Sequence, residues 1–416
     1  MARLLADLTP LKISAEYRRI WSALSISNIG QQMTSVAVGI QVYSLTRSSF
    51  MVGLVGLCQL VPLVGFGLYG GALSDTHDRR KVGLFAAMGL MACSLIFFLQ
   101  SVRDLRNVGL LFVVVAIQSA FFAVGNPARG AIIPRLVDKE LLPAANALSM
   151  LAWNVGFTIG PLLGGLLIAA TGGVSVAYFV DVVAFSSVVY AMYRLRPLPP
   201  LGDRPERTGW AAVKDGLAFL RGRRNLQMSF YLDMAAMVFG MPRALFPAIG
   251  ASFYPTDLRM AATAVGFLAA APAFGAVISS VFSGPLTRVR KQGIAVVIAI
   301  LAWGLSIALF GLSTTLLLAC FFLACAGAAD NVSAIFRSTI LQSATPDEYR
   351  GRLQGIFTVV VAGGPRLGDL ESGTVAAIAG ETFSVVSGGI LCIVFALGLV
   401  AAVPSFLHYD GQHPEP

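Results

Sequence analysis

Gly71-Ala-Leu-Ser-Asp75-Thr-His-Asp78-Arg79-Arg80-Lys81 closes one long apolar run, 52–74, and precedes the next, 82–101. Each run has about the 20 residues that a helix needs to cross a bilayer. The same alternation continues outward in both directions, with further runs near 18–45, 108–128, 144–170, 174–193, 226–249, 261–284, 292–311, 315–336, 353–379 and 384–407. Stretches such as 84–99 and 390–403 are apolar on every side, as lipid-embedded helices are and alternating barrel strands are not. Composition agrees: of 416 residues, 56% are hydrophobic and 12% charged, against about 25% charged in an ordinary soluble protein. The expectation is an all-α membrane protein with twelve transmembrane helices, and a water-soluble fold is excluded.

Charge sets the expected orientation. Of the 30 Lys and Arg, 24 fall on the N-terminal tail, counted through Arg18 and Arg19 at the edge of the first span, or on alternate connections (75–81, 129–143, 194–225, 285–291 and 337–352), whereas the intervening loops hold Arg47, Arg103, Arg106 and Arg259. The positive-inside rule then places both termini in the cytoplasm, in a multi-pass protein of the cytoplasmic (inner) membrane. The net charge of +9 reads as topology, and no nucleic-acid partner is expected. Residues 2–19 are mixed and charged, which is not a cleavable secretory signal. Five cysteines, all within the spans, argue for packing rather than a disulfide framework or a metal site.

The chain divides in two. Residues 1–193 form an N-terminal six-helix half, 194–225 a cytoplasmic linker, and 226–416 a C-terminal six-helix half with a short tail. In the linker, Trp210, Val213, Leu217 and Leu220 recur at helical spacing, predicting an amphipathic helix on the membrane surface. The halves repeat: a shift of 208 residues pairs Arg129 with Arg337, Ile132 with Ile340 and Glu140 with Glu348, each set closing its half's fourth span. Duplicated halves are an architecture of secondary transporters.

The Gly71 to Lys81 loop resembles the inner-loop signature of the major facilitator superfamily, with Thr76 where a basic residue is usual and Asp78 where a glycine is usual. In that reading Gly71 permits close helix approach and Asp75 faces a helix N-terminus in the other half. Arg79 and Arg80 pair with acids at the inner mouth, and Arg129 and Arg337 complete an inner gate. A plain orienting loop is the simpler alternative. In the fifth span, Gly156-Phe-Thr-Ile-Gly160-Pro161-Leu-Leu-Gly164-Gly165 sets small residues four apart on one face and bends the helix at Pro161. It resembles the antiporter motif of facilitator-superfamily exporters; packing alone is the alternative.

Over residues 17–407 these features are similar to the branch of the superfamily that exports siderophores, macrolides and other drugs. The resemblance implies the major facilitator fold, outward transport and the antiporter mode; it does not reach the cargo. Ionisable groups at bilayer depth are the best site candidates. Arg366, Asp369 and Glu371 fall near the middle of the eleventh span, with Asp369 either facing the cavity or paired to Arg366 three residues before it, and Glu371 about 200° away. Asp233 and Arg243 lie in the seventh span, Arg243 being a candidate contact for an anionic group of the cargo. Asp330 lies two turns before Arg337, and Asp181 reads as a snorkelling or interhelical residue. Asn28, Gln31 and Gln32 share a face, either as cavity wall or as interhelical packing.

No lysine follows a glycine, so the chain has no phosphate-binding loop for ATP, and three scattered histidines suit neither a metal nor a catalytic base. The expectation is a monomeric, cofactor-free, non-enzymatic exporter that exchanges protons for an amphipathic small molecule such as a siderophore or drug. A lipid flippase, or an importer or uniporter of the same fold, is the alternative.

Overall fold

A computed structural model describes residues 7–199, 218–282, 289–345 and 347–410, without the side chains of 68–72, 74, 75, 342 and 347–359. Fourteen α-helices account for most of these residues: α1 Thr9–Ile13, α2 Ala15–Thr46, α3 Ser49–Thr76, α4 Arg79–Val102, α5 Val108–Ile132, α6 Leu142–Thr171, α7 Ser175–Tyr193, α8 Arg224–Phe239, α9 Phe246–Phe253, α10 Leu258–Val281, α11 Gln292–Gly311, α12 Leu316–Ser343, α13 Asp347–Ala379 and α14 Glu381–Ala402. Ten of the spans are long and apolar enough to cross a membrane by composition, counting α8 and α9 together. Adding α2 and α13, long helices that carry charges, gives the twelve expected from the sequence.

Two boundaries differ from expectation. The seventh span, read as continuous over 226–249, is broken into α8 and α9 around Gly240 and Pro242, because Pro242 has no N–H to continue the ladder and restricts the residue before it. The twelfth stops at Ala402, where Pro404 opens a 3-10 turn to His408. That turn buries Phe406 against the start of α11, beside Gly293. Tyr409 follows, buried, with its hydroxyl 3.3 Å from Ser343 Oγ; burial pushes this phenol above its ordinary value, a shift the Ser343 contact only partly offsets.

The chain forms two compact units, 1–45 with 58–209 and 258–266, and 46–57 with 210–257 and 267–416. The first therefore takes in the opening turns of α10, and the second those of α3. In the first unit α4 packs on α5 and α7. Its core includes Tyr17, Leu90, Ile132, Phe185 and Met192, and it extends beyond the expected boundary at 193 to Leu195 and Leu198. The tie is specific: Asp78 caps α4 by accepting from Arg80 N at 2.9 Å, and the same oxygen accepts from Leu198 N at 3.0 Å. In the second unit α11 packs on α12 and α14, and α13 on α8 and α14. The predicted amphipathic helix begins at Trp210, and 200–217 lie outside the described residues.

Candidate transport site

The broken seventh span places a cation beside an acid. Immediately after the break, Arg243 extends Nη2 to 2.9 Å from Asp369 Oδ2 on α13. The Asp369 side chain is 14% exposed and that of Arg243 43%. The other carboxylate oxygen, Asp369 Oδ1, is buried and has no hydrogen-bond partner among the described residues. A carboxylate held on one oxygen with the other left unmet keeps an acceptor in reserve, a costly arrangement away from water. Among the described residues the direct ion pair of Asp369 is this one, across 126 residues; Arg366, weighed from sequence as its partner, directs Nη1 to the carbonyl of Ala362 in its own helix while its charge acts on both Asp369 and Arg243. Glu371, half-buried and two residues beyond Asp369, makes no ion pair among the described residues.

Small residues let α13 carry these charges in a tight setting. Gly364 and Gly368 lie against Met237 of α8. On another side the first turns of α3 approach: a Cβ on Gly56 would come 2.8 Å from Arg366 O and 3.0 Å from Asp369 Cβ. Ser49 Oγ, at the start of α3, donates to Glu381 Oε1 at 2.9 Å. Sequence reasoning misses Ser49, Gly53 and Gly56, although the Gly53-Leu-Val-Gly56 spacing is a signal of close helix contact.

Deeper in the same unit, Asp233 on α8 and Arg337 on α12 form an ion pair with both side chains almost wholly buried, and Asp330 Oδ1 lies 3.4 Å from Arg337 Nη2. The spacing of Asp330 and Arg337 points to the second contact and not the first.

In the first unit the α6 glycines face α2. Gly156 lies against Asn28, Gly160 against Gln32 and Gly164 against Met33, while Gly165 meets Gly266, and Pro161 lies inside the helix. Asn28 Nδ2 donates to the carbonyls of Ala152 and Trp153 at 3.3 and 3.2 Å, which is the interhelical packing alternative. Gln31 and Gln32 are half-buried. Of the inner-gate residues, Gly71 and Asp75 fall on the last turns of α3 with side chains outside the described residues. Arg79 and Arg80, expected to pair with acids, instead donate to backbone carbonyls. Arg79 Nη1 reaches Ala131 O at 3.2 Å, and Arg80 reaches Met192 O and Tyr193 O at 3.2 and 2.7 Å. Carbonyls at a helix C-terminus lack intrahelical partners and attract cations, which is what the ends of α5 and α7 offer these two guanidinium groups. Arg129 buries Nε and Nη2 with no partner among the described residues.

Asp181 is 0% exposed, which rules out snorkelling; Thr34 of α2 and Ser94 of α4 meet its Oδ2 at 2.8 and 2.7 Å.

Twelve long helical spans, one of them broken, with ion pairs buried between helices, are the build of a multi-pass membrane transporter. The chain belongs to the transmembrane secretion effector family of the major facilitator superfamily, whose profile matches residues 5–413. It is 29% identical over 417 residues to the enterobactin exporter EntS of Escherichia coli strain K12, covering 99% of this chain and 97% of the relative. It is 30% identical, with the same coverage, to the exporter from Shigella boydii serotype 4 strain Sb227. Among solved structures, the nucleoside transporter NupG superposes with a TM-score of 0.71 at 14% identity, over 95% of this chain and 99% of that one. A bacterial homolog of the lysosomal transporter Spinster gives 0.73 at 14%, over 97% and 99%. These share the fold. The protein is a membrane exporter and not an enzyme.

Proposed function

We propose that the protein is a proton-coupled antiporter that moves an amphipathic siderophore, of the phenol- or catechol-bearing class, out across the cytoplasmic membrane, with both termini in the cytoplasm. The observation that carries this reading is Asp369: Oδ2 is tied to Arg243 at 2.9 Å while Oδ1 is an unmet acceptor.

The sign of coupling follows from that oxygen. A phenolic hydroxyl, with an ordinary pKa of about 10, is a donor near neutrality. It makes its strongest bond to Oδ1 while Asp369 is ionised, because a charged acceptor roughly doubles the strength of a hydrogen bond; a proton on Oδ1 removes that charge and leaves the weaker neutral contact. Cargo and proton therefore oppose one another, as antiport requires. An anionic cargo bound by Arg243 would give the opposite sign, since protonating Asp369 would release the guanidinium to hold it, and both would travel together. Arg243, 43% exposed, has a face available to stack on an aromatic ring of the cargo. Because Oδ1 is closed to water in this conformation, exchange requires the pair to move, which ties binding to the change of access. The similarity to enterobactin exporters supports the cargo class. The monomer is the transporting unit, with no cofactor.

Uptake into inverted membrane vesicles tests this. A catecholate siderophore should accumulate only with an inward-acid gradient; accumulation without one, or movement of lipid alone, contradicts the proposal.

A further inference from the structure

The first unit contains a second acid at bilayer depth that the site above does not use. Asp181 lies on α7, two turns into the helix, with 0% exposure and no ion pair among the described residues. Its Oδ1 has no hydrogen-bond partner among them, and the space beside it is kept by Gly30 of α2, where a Cβ would stand 2.7 Å from that oxygen. Its Oδ2 meets Thr34 Oγ1 at 2.8 Å and Ser94 Oγ at 2.7 Å.

Ser94 makes the site two-state. Its hydroxyl lies 3.1 Å from the carbonyl of Leu90 as well as 2.7 Å from Asp181 Oδ2, and it has a single proton to give. When Asp181 is ionised, Ser94 donates to Oδ2 and leaves Leu90. When Asp181 carries a proton on Oδ2, that proton is donated to the Ser94 oxygen, and Ser94 turns to Leu90. Both arrangements keep Oδ2 and the Ser94 hydroxyl paired within one geometry, with Oδ1 unmet in each, and one hydroxyl rotation separates them. On the packed helices the titratable groups nearest in sequence to the site are the Cys93 thiol of α4 and the phenols of Tyr178 on α7 and Tyr43 on α2; Glu16, Arg18 and Arg19 of α2 stand at least fifteen residues from Thr34, and Arg103, closing α4, nine from Ser94. The α4 cations Arg79, Arg80 and Lys81 stand at least thirteen residues from Ser94, about 20 Å along the helix. An isolated charge there is expensive, and a proton removes it.

A polar line leads to the site. Tyr178, three residues before Asp181 and on the same face, donates to Gln41 Oε1 at 2.7 Å, and Gln41 exchanges amide hydrogen bonds of 3.1 and 2.9 Å with Gln100. Gln41 is two turns from Thr34 on α2, and Gln100 lies six residues from Ser94 on α4, toward the 103–107 connection. Phe97 stands between Ser94 and Gln100 on α4 and stacks on the Tyr178 ring, centroids 5.2 Å apart, closing the line in this conformation.

We infer that Asp181 is a reversible proton-binding site of the first unit, loaded from the end that carries the 103–107 connection and gated by the Phe97 and Tyr178 rings. The step is balanced: the carboxylate takes a proton from water on that side, becomes neutral, and returns it to water when the site is next opened. A role of this proton in driving export rests on the antiport proposed above; the protonation itself does not.

Infrared difference spectroscopy of the purified full-length protein, titrated in reconstituted bilayers, reads the site without transport. The expected result is a carboxylic-acid C=O band that grows as pH falls, is lost in Asp181→Asn and shifts in frequency in Ser94→Ala, whose fold needs no new polar group. A C=O band that Asp181→Asn and Ser94→Ala both leave unchanged overturns the inference. So does an Asp181 band that does not titrate. In vesicles, Asp181→Asn should lose gradient-driven accumulation; if the wild type accumulates nothing yet the band titrates, the antiport proposal fails while the proton site stands.

Discussion

Asp233 of α8 and Arg337 of α12 form an ion pair in which the side chains are 1% and 2% exposed, and Asp330 brings a second carboxylate to the same guanidinium. A buried cation between two acids is held by its partners rather than by water, so the loss of Arg337 strands the buried Asp233. Arg337→Met should cost about 3–5 kcal/mol, the range for breaking a buried pair. Asp330→Asn should cost clearly less, because Asp330 is 31% exposed and water compensates. Thermal unfolding in detergent checks the order; an Arg337→Met protein that melts with the wild type contradicts it.

The α6 glycine face makes a contrast with a lipid-side glycine. A Cβ at Gly164 would lie 3.1 Å from Met33 Cα and 3.3 Å from Met33 O, backbone that cannot turn aside. Gly164→Val should therefore destabilise by about 1–3 kcal/mol. Gly398 in α14 has nothing within 4 Å, and Gly398→Ala should stabilise by about 0.5–1 kcal/mol through helix propensity. Opposite shifts in the melting temperature are the expected outcome.

Asp78, which stands where the superfamily loop usually has a glycine, accepts from both Arg80 N and Leu198 N. Asp78→Ala removes a helix cap worth about 0.5–2 kcal/mol, and loosens the 194–199 segment, which the backbone bond from Arg79 N to Leu198 O at 3.1 Å still holds. A lowered melting temperature with faster tryptic cleavage after Arg194, the basic residue of this segment not followed by proline, is expected; Asp78→Ser, which still caps, should recover most of the stability.

The α13 contact with α3 is a third packing test. Gly56→Leu must displace the Arg366 carbonyl and the Asp369 Cβ, so it should lower transport as well as stability by moving the acid off Arg243. Measuring the melting temperature beside the initial vesicle uptake rate separates this from a purely structural loss, because Leu148→Ala, a core variant of the first unit, should transport faster at equal stability.

The spans were legible because lipid forces every backbone group into a helix, and hydropathy reports that directly. The Gly156, Gly160 and Gly164 stripe was legible because a spacing of four puts residues on one face whatever the partner. The break at Gly240 and Pro242 had its residues in plain view, yet an apolar run hides it from hydropathy. The Arg243 to Asp369 pair was out of reach: the residues are 126 apart, and Asp369 had a nearer cation in Arg366 whose guanidinium turns back to Ala362. Asp181 was underread because position along a helix says little about depth in a bundle; the hydroxyls that meet it come from two other helices.

The most direct test of the claim that proton and cargo compete for Asp369 Oδ1 is the affinity of the purified protein for a catecholate siderophore as a function of pH, in wild type and Asp369→Asn. A group whose proton expels cargo makes affinity fall as pH falls, so wild-type binding should weaken on acidification, whereas Asp369→Asn binds weakly and without pH dependence. Wild-type affinity that rises as pH falls, or a pH dependence that survives in Asp369→Asn, would contradict it.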